Sequence, residues 1–300
     1  MRKIFILLLL WFGSFQFCAA QDWLTSMEAA KRLALIQDKM ILMVWEEAAS
    51  YAFPVIVEDE KGNKGVIDNM FENEYVKKWL WEHFVLVIVN ESYYAQLYGD
   101  INKTRTFRYI EKFNDDSLKV MDVNGNILNI AYNYDEIFNL SEFVRNYYVN
   151  TRFLKGEYIA YTNEKSFTSS YYLAYRYVDA AAYVNPEIRV EMIKMSNIYL
   201  DETKKYLEQG AVTDKASLAF KIELIEIYQD LVLDKPRKVL RQLNRLAKTE
   251  LDPSDEEMIA FLYVAAYRVL NDEKSASEWR SKVSLLNLEK ASIIISNSKL

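Results

Sequence analysis

Two apolar hexapeptides constrain this chain more than anything else in it: MILMVW at Met40–Trp45 and FVLVIV at Phe84–Val89. Neither alternates with polar residues, so each reads as a strand buried on both faces. A helical pattern precedes the first, with Met27, Ala30, Leu33, Ala34 and Ile36 at near-helical spacing between Ser26 and Gln37. A second helical pattern separates them, about Asn69 to Glu82, with Phe71, Tyr75, Val76, Trp79 and Leu80 as its inner stripe.

Beyond the second strand lies a polar, aromatic excursion from Tyr93 to Asp116, read as irregular. Leu118 to Asp122 and Ile127 to Ile130 then flank Asn124-Gly125, the signal for a hairpin whose type I′ turn places both turn residues at positive φ. A helix over about Ser141 to Tyr148 closes this half with Phe143, Val144 and Tyr147. From Trp23 to about Asn150 the order is helix, strand, helix, strand, irregular, hairpin, helix, which is an α/β pattern.

After Asn150 the strand signal disappears. SSYYLAYRYVDAAAYV stops at Asn185-Pro186, where a helix can break and restart, and the next helical run ends on Gly210 as a C-cap. Two further pairs look alike, IYQDLVLDKPRKVLRQLNRL and AYRVLNDEKSASEWRSKVSLL. Tyr228 and Tyr267 lie 267 − 228 = 39 residues apart in them, which suggests a helix-turn-helix repeat. DPSDE before the last pair supplies a start signal, with Ser254 or Asp255 as N-cap. Only 7 Gly and 4 Pro against 51% hydrophobic residues fit a packed, helix-rich chain and exclude a disordered one.

The N-terminus reads as a secretory signal peptide: basic Arg2 and Lys3, an apolar run from Ile4 to Phe12, and cleavage after Ala20. The run is shorter than the roughly 20 residues a membrane span needs. A lipidated Cys18 is the lesser reading, because Phe15, Gln16 and Phe17 are bulkier than the residues such a site prefers. Cleavage removes Cys18, the only cysteine, so no disulfide is expected. Losing Arg2 and Lys3 takes the net charge from −6 to −6 − 2 = −8, which disfavours nucleic acid and anionic lipid as partners.

DWLTSMEAAKRLALIQDKMILMVW, FENEYVKKWLWEHFVLVIVN and LKVMDVNGNIL, in their order, resemble the thioredoxin superfamily, most of all exported bacterial thioredoxin-like proteins. The resemblance implies a redox turn after Trp45, where the two catalytic cysteines of the family fall on Ala49 and Ala52, or on Ser50 and Phe53 with one residue of slippage. It also implies a cis-proline facing that turn, and the position holds Ser117. Only a thiolate attacks a disulfide, so the mature chain is not expected to perform disulfide exchange. The repeated pairs resemble degenerate tetratricopeptide-type repeats over about Phe167 to Leu288.

Other candidate chemistry is sparse. Glu46-Glu47 reads as a solvated turn or helix N-terminus, since neighbouring side chains diverge. Glu58, Asp59, Glu60 and the segment Asp122 to Asn126 faintly suggest calcium but lack the full loop with its terminal glutamate. His83, the only histidine, reads as structural at a helix end, and no glycine-rich phosphate loop is present. Tyr171, Tyr172, Tyr175, Tyr177 and Tyr183 cover more than one face of a helix; packing explains them, and so does a groove offering rings and hydroxyls to a peptide, with Tyr171, Tyr172, Tyr175 and Tyr177 as the partner-binding candidates.

The resulting expectation is a signal peptide over 1–20, a thioredoxin-like α/β domain without redox cysteines over 21–150, and an all-α helical-repeat domain, tetratricopeptide-like, over 151–300. Function is expected to be non-catalytic binding of a protein or peptide by an exported adaptor or holdase-like factor, periplasmic or secreted, with no cofactor, metal, nucleic acid or membrane span. The alternatives are an enzyme with dispersed carboxylate and tyrosine acid-base groups, and a structural envelope protein.

Overall fold

The computed structural model describes residues 22–115, 117–129, 137–210, 214–246 and 252–298; the expected signal peptide with Cys18, and Ile130, lie outside them. After α1 (Met27–Gln37) come β1 (Met40–Trp45), the single turn α2 (Glu46–Ala49), β2 (Val55–Glu58), β3 (Lys64–Ile67), α3 (Glu74–His83) and β4 (Phe84–Val89). The α/β half continues through α4 (Glu91–Thr104), α5 (Phe107–Asn114), β5 (Lys119–Met121), β6 (Phe138–Asn139) and α6 (Leu140–Tyr147).

Both apolar hexapeptides are strands with the expected bounds, and they pair in parallel with Met40 opposite Phe84. β1 also pairs antiparallel with β5, Ile41 facing Met121. Isolated bridges from Leu24 to Val87 and from Met121 to Ile127 extend the sheet on either side. The spatial order is therefore Leu24, β4, β1, β5, Ile127, and the central strands are buried at every residue but Trp45 and Ile88, which are half-buried.

Three readings are corrected, and one hairpin joins the expected elements. The excursion from Tyr93 is helical: Asn90 caps α4 by accepting from the Tyr93 amide at 2.9 Å, and the helix stops at Arg105 before α5 begins. Helix α3 starts later than expected, because Asn73 takes the Val76 amide at 3.0 Å while Asn69 is bound in a turn to the Phe71 amide. The Asn124-Gly125 turn is not type I′. Only Gly125 has positive φ, at 85°, and the Asp122 carbonyl accepts from Gly125 while the Asp122 amide donates to Asn126. That is the three-residue loop closed by a left-handed glycine. Finally, Val55–Glu58 and Lys64–Ile67 form an antiparallel hairpin joined by β6 into a second sheet. The acidic cluster makes its turn, with Asp59 accepting from the Lys61 and Asn63 amides.

From Thr151 on the described chain is helical, apart from its turns: α7 (Lys155–Asn163), α8 (Phe167–Ala181), α9 (Arg189–Glu208), α10 (Lys215–Val232), α11 (Pro236–Leu246), α12 (Glu256–Val269), α13 (Glu273–Trp279) and α14 (Leu285–Ser296). The two similar pairs are α10–α11 and α12–α13. Asp234 and Asn271 end their first helices in the left-handed conformation, and the next amides reach back to Asp230 and Tyr267 carbonyls in the same six-residue closure. Matching those turns gives a period of 271 − 234 = 37, so Tyr228 and Tyr267 are not equivalent positions. Asp255 stands at the N-cap position of α12 without a side-chain cap hydrogen bond, and Asp252 caps the 3-10 turn ahead of it by accepting from the Ser254 amide at 2.8 Å.

One contiguous apolar core runs through both halves, from Trp23 to Ile294. Across the junction the Asp38 carboxylate meets Lys155 at 2.7 Å, the Asp38 carbonyl meets the Thr151 amide at 3.0 Å, and Lys112 meets Glu191 at 3.0 Å. Among the described residues no helix is long and apolar enough to cross a membrane.

Candidate functional site

The turn that would hold a redox pair is built from its own backbone. Ala49 ends α2 half-buried against the core, and the Ser50 hydroxyl donates to the Glu47 carbonyl at 2.7 Å. Ala52 is exposed, while Phe53 turns inward, edge-on to Phe71 and Phe138 at 6.0 and 5.9 Å. Ser117 is buried, its amide donating to Asp115 Oδ1 at 2.8 Å. Met43 pairs with Lys119, and carrying that antiparallel register two residues further sets Trp45 opposite Ser117. The two segments singled out in the sequence thus lie at one end of the sheet. That end is covered by rings: Trp45 stacks on Tyr94 at 5.2 Å, Tyr94 on Phe113 at 4.4 Å, and Trp45 Nε1 donates to Glu91 at 2.9 Å. Glu46 and Glu47 open α2 and are exposed. His83 ends α3, with Nδ1 at 2.9 Å from the Trp79 carbonyl.

The four candidate tyrosines do not form one surface. Tyr172 is exposed, Tyr171 and Tyr175 are half-buried, and Tyr177 is fully buried, so Tyr177 leaves the partner-binding set. Its hydroxyl donates to Asp122 Oδ2 at 3.0 Å and meets the Tyr158 hydroxyl at 2.6 Å. Tyr199 donates to the same carboxylate oxygen, and the amides of Asn124 and Asn126 donate to Asp122 Oδ1 at 2.9 and 2.8 Å. The loop carrying Asp122 is thereby plugged into α7, α8 and α9. Burial pushes the Asp122 carboxyl up, opposed by these donors, and holds the phenols of Tyr158, Tyr177 and Tyr199 well above their ordinary value. The sequence offered no signal for this cluster, since Asp122 meets Tyr177 and Tyr199 across 55 and 77 residues.

Beside that plug, on the solvent side, lies a groove of about 780 Å³ between the α4–α5 corner and α9. One wall is Thr104 to Tyr109 with Lys112, the other runs from Lys194 to Glu208, and Tyr109, Ile127 and Ile198 give it apolar lining. Its cations are Arg105, Arg108, Lys112, Lys194, Lys204 and Lys205; its carboxylates are Asp201, Glu202 and Glu208. Arg105 donates to Asn126 Oδ1 at 2.7 Å and lies 4.0 Å from Glu202, which also receives the Tyr161 hydroxyl. Lys112 and Lys194 share Glu191, at 3.0 and 2.7 Å. Burial lowers the Lys112 ammonium and pushes the Tyr109 phenol up to about 12. The sequence carried a sign of this wall in Arg105, Arg108 and Lys112, which fall at helical spacing inside the excursion taken as irregular.

Among the described residues no group of histidine, cysteine and carboxylate side chains is arranged to hold a metal ion. No protein-family model, no curated protein and no solved structure matches this chain.

Proposed function

We propose that this is an exported, non-catalytic binding protein that holds a segment of another protein, as an adaptor or holdase-like factor. The observation that carries the reading is the groove at the junction: it is open to solvent, lined by the Tyr109 ring, by Ile198 and by charges, and its two walls come from the two halves of the fold. The carboxylate that burial pushes upward, Asp122, is sealed from solvent and saturated with donors, which weighs against the reading as an acid-base enzyme. The sheet order Leu24, β4, β1, β5, Ile127 supports a thioredoxin-like α/β half, and Ala49, Ser50, Ala52, Phe53 and Ser117 in the places of the redox turn and cis-proline make it redox-inactive. The matching helix ends at Asp234 and Asn271 support a degenerate tetratricopeptide-like half. The N-terminal pattern supports export to the periplasm or beyond.

The test is site-specific photo-crosslinking in the native envelope. A crosslinking residue at Ile198 in the groove is expected to give discrete adducts that the same residue at exposed Tyr51 does not. Equal adducts at both positions, or none at either, would overturn the proposal.

A further inference from the structure

We infer that the junction groove takes an extended acidic peptide segment of about six residues; this rests on the binding reading above and names its ligand class. The length comes from α9. Lys194, Ile198, Asp201, Lys205 and Glu208 lie three or four residues apart along one wall, so the stripe spans 14 residues (208 − 194), roughly 21 Å at about 1.5 Å per residue. An extended chain covers that distance in about six residues at about 3.5 Å each. Charge selects the class. Six cations face three carboxylates in a chain whose net charge is −6, so the groove stands out against its own surface.

The free positive charge within the groove is localised. Lys112, Lys194, Lys204 and Arg105 are engaged by Glu191, Glu226 and Glu202, whereas Arg108 and Lys205 have no ion-pair partner among the described residues and are exposed. They stand on opposite walls, one on α5 and one on α9, placed to hold carboxylates from both sides of a bound strand. Between them the half-buried Tyr109 and Ile198 offer apolar area for one non-polar side chain. Two discrete free cations beside an apolar surface suit a few separate carboxylates flanking a non-polar side chain, whereas a nucleic-acid backbone calls for a continuous basic track that Asp201 and Glu208 interrupt.

The probe is a fluorescent hexapeptide carrying four carboxylates around a central phenylalanine, compared with a lysine counterpart by fluorescence polarisation on the full mature chain. The acidic probe is expected to bind and the lysine probe not. Arg108→Glu and Lys205→Glu are each expected to weaken binding about tenfold, since each replaces a charge-assisted contact by a repulsion. Lys274→Glu, exposed on α13 and away from the groove, is expected to leave it unchanged. Raising salt from about 50 to about 300 mM should weaken binding, because these contacts are screened. Equal binding of both probes, indifference to the groove substitutions, or full displacement by millimolar inorganic phosphate would overturn the inference. Groove-dependent crosslinking from Ile198 that persisted through such a result would leave the binding reading standing and remove only the acidic class; loss of both would remove the reading itself.

Discussion

Removing the Asp122 carboxylate tests whether the two halves are held together by the plug. Asp122→Ala takes the acceptor away from five donors: the Tyr177 and Tyr199 hydroxyls, the backbone amides of Asn124 and Asn126, and the Asn126 side-chain amide at 3.4 Å. Tyr177 keeps Tyr158, and Tyr199 keeps the side chains of Asn124 and Asn126 at 2.9 Å, so the losses do not add in full. The expected cost is about 3–5 kcal/mol, as for one member of a buried charged network. Asp122→Asn keeps one acceptor and the shape, and should cost about 1–2 kcal/mol at pH 7. The pH dependence separates the two effects. Burial raises the folded pKa of Asp122 above its unfolded value, so between those values the native state binds more protons and stability falls as pH rises. The slope from this group is at most about 1.4 kcal/mol per pH unit. Urea unfolding of wild type and Asp122→Asn across pH 4 to 8 should therefore show their difference shrinking as pH rises. A cost below about 1 kcal/mol for the alanine variant, or a gap that widens with pH, would refute the reasoning.

Alkaline titration followed by tyrosinate absorbance should show a cooperative step above pH 10. Tyr158, Tyr177, Tyr199 and Tyr228 are held neutral by burial, and Tyr109 is pushed up to about 12, so their stabilisation is complete below about 10 and lost as pH climbs through the folded values. Lys290 lies 2.7 Å from Asp179 and within 5.9 Å of the Tyr175, Tyr228 and Phe261 ring centres; Lys290→Met should cost about 3 kcal/mol by leaving Asp179 short of its buried partner, and adding Asp179→Asn should recover part of that in thermal unfolding. Gly125→Ala should cost about 1–2 kcal/mol from its φ of 85° alone, since the added methyl would meet only Lys31 at 3.6 Å, while Gly125→Asn should cost less.

Periodicity and capping chemistry carried the main elements into the sequence: β1 and β4 stand at their expected bounds because nothing but apolar residues occupies them, and Ser26 caps α1 by accepting from the Ala29 amide. What stayed hidden depends on long-range partners. Helix α4 has one fully buried residue, Ile101, so its apolar stripe is faint and its tyrosines disguise it. The β2–β3 hairpin has exposed or half-buried residues at most positions and gains its order from pairing with β6. Tyr177 could not be told from exposed Tyr172 or half-buried Tyr175, because its partner Asp122 lies 55 residues away in sequence. The groove was out of reach for the same reason, one wall lying about 90 residues from the other in sequence.

The ring stack at the end of the sheet has a consequence for traffic through the molecule. In open α/β sheets the crevice at the carboxyl ends of the strands is where ligands enter. Here Trp45, Tyr94 and Phe113 fill that space with the protein's own side chains, and Glu91 fastens the outermost ring. The usual doorway is shuttered from within, and a groove open to solvent sits instead at the seam where the hairpin loop meets α9. In a chain arranged in this way the sheet is a filled frame, and solvent reaches between its two halves along the α9 side.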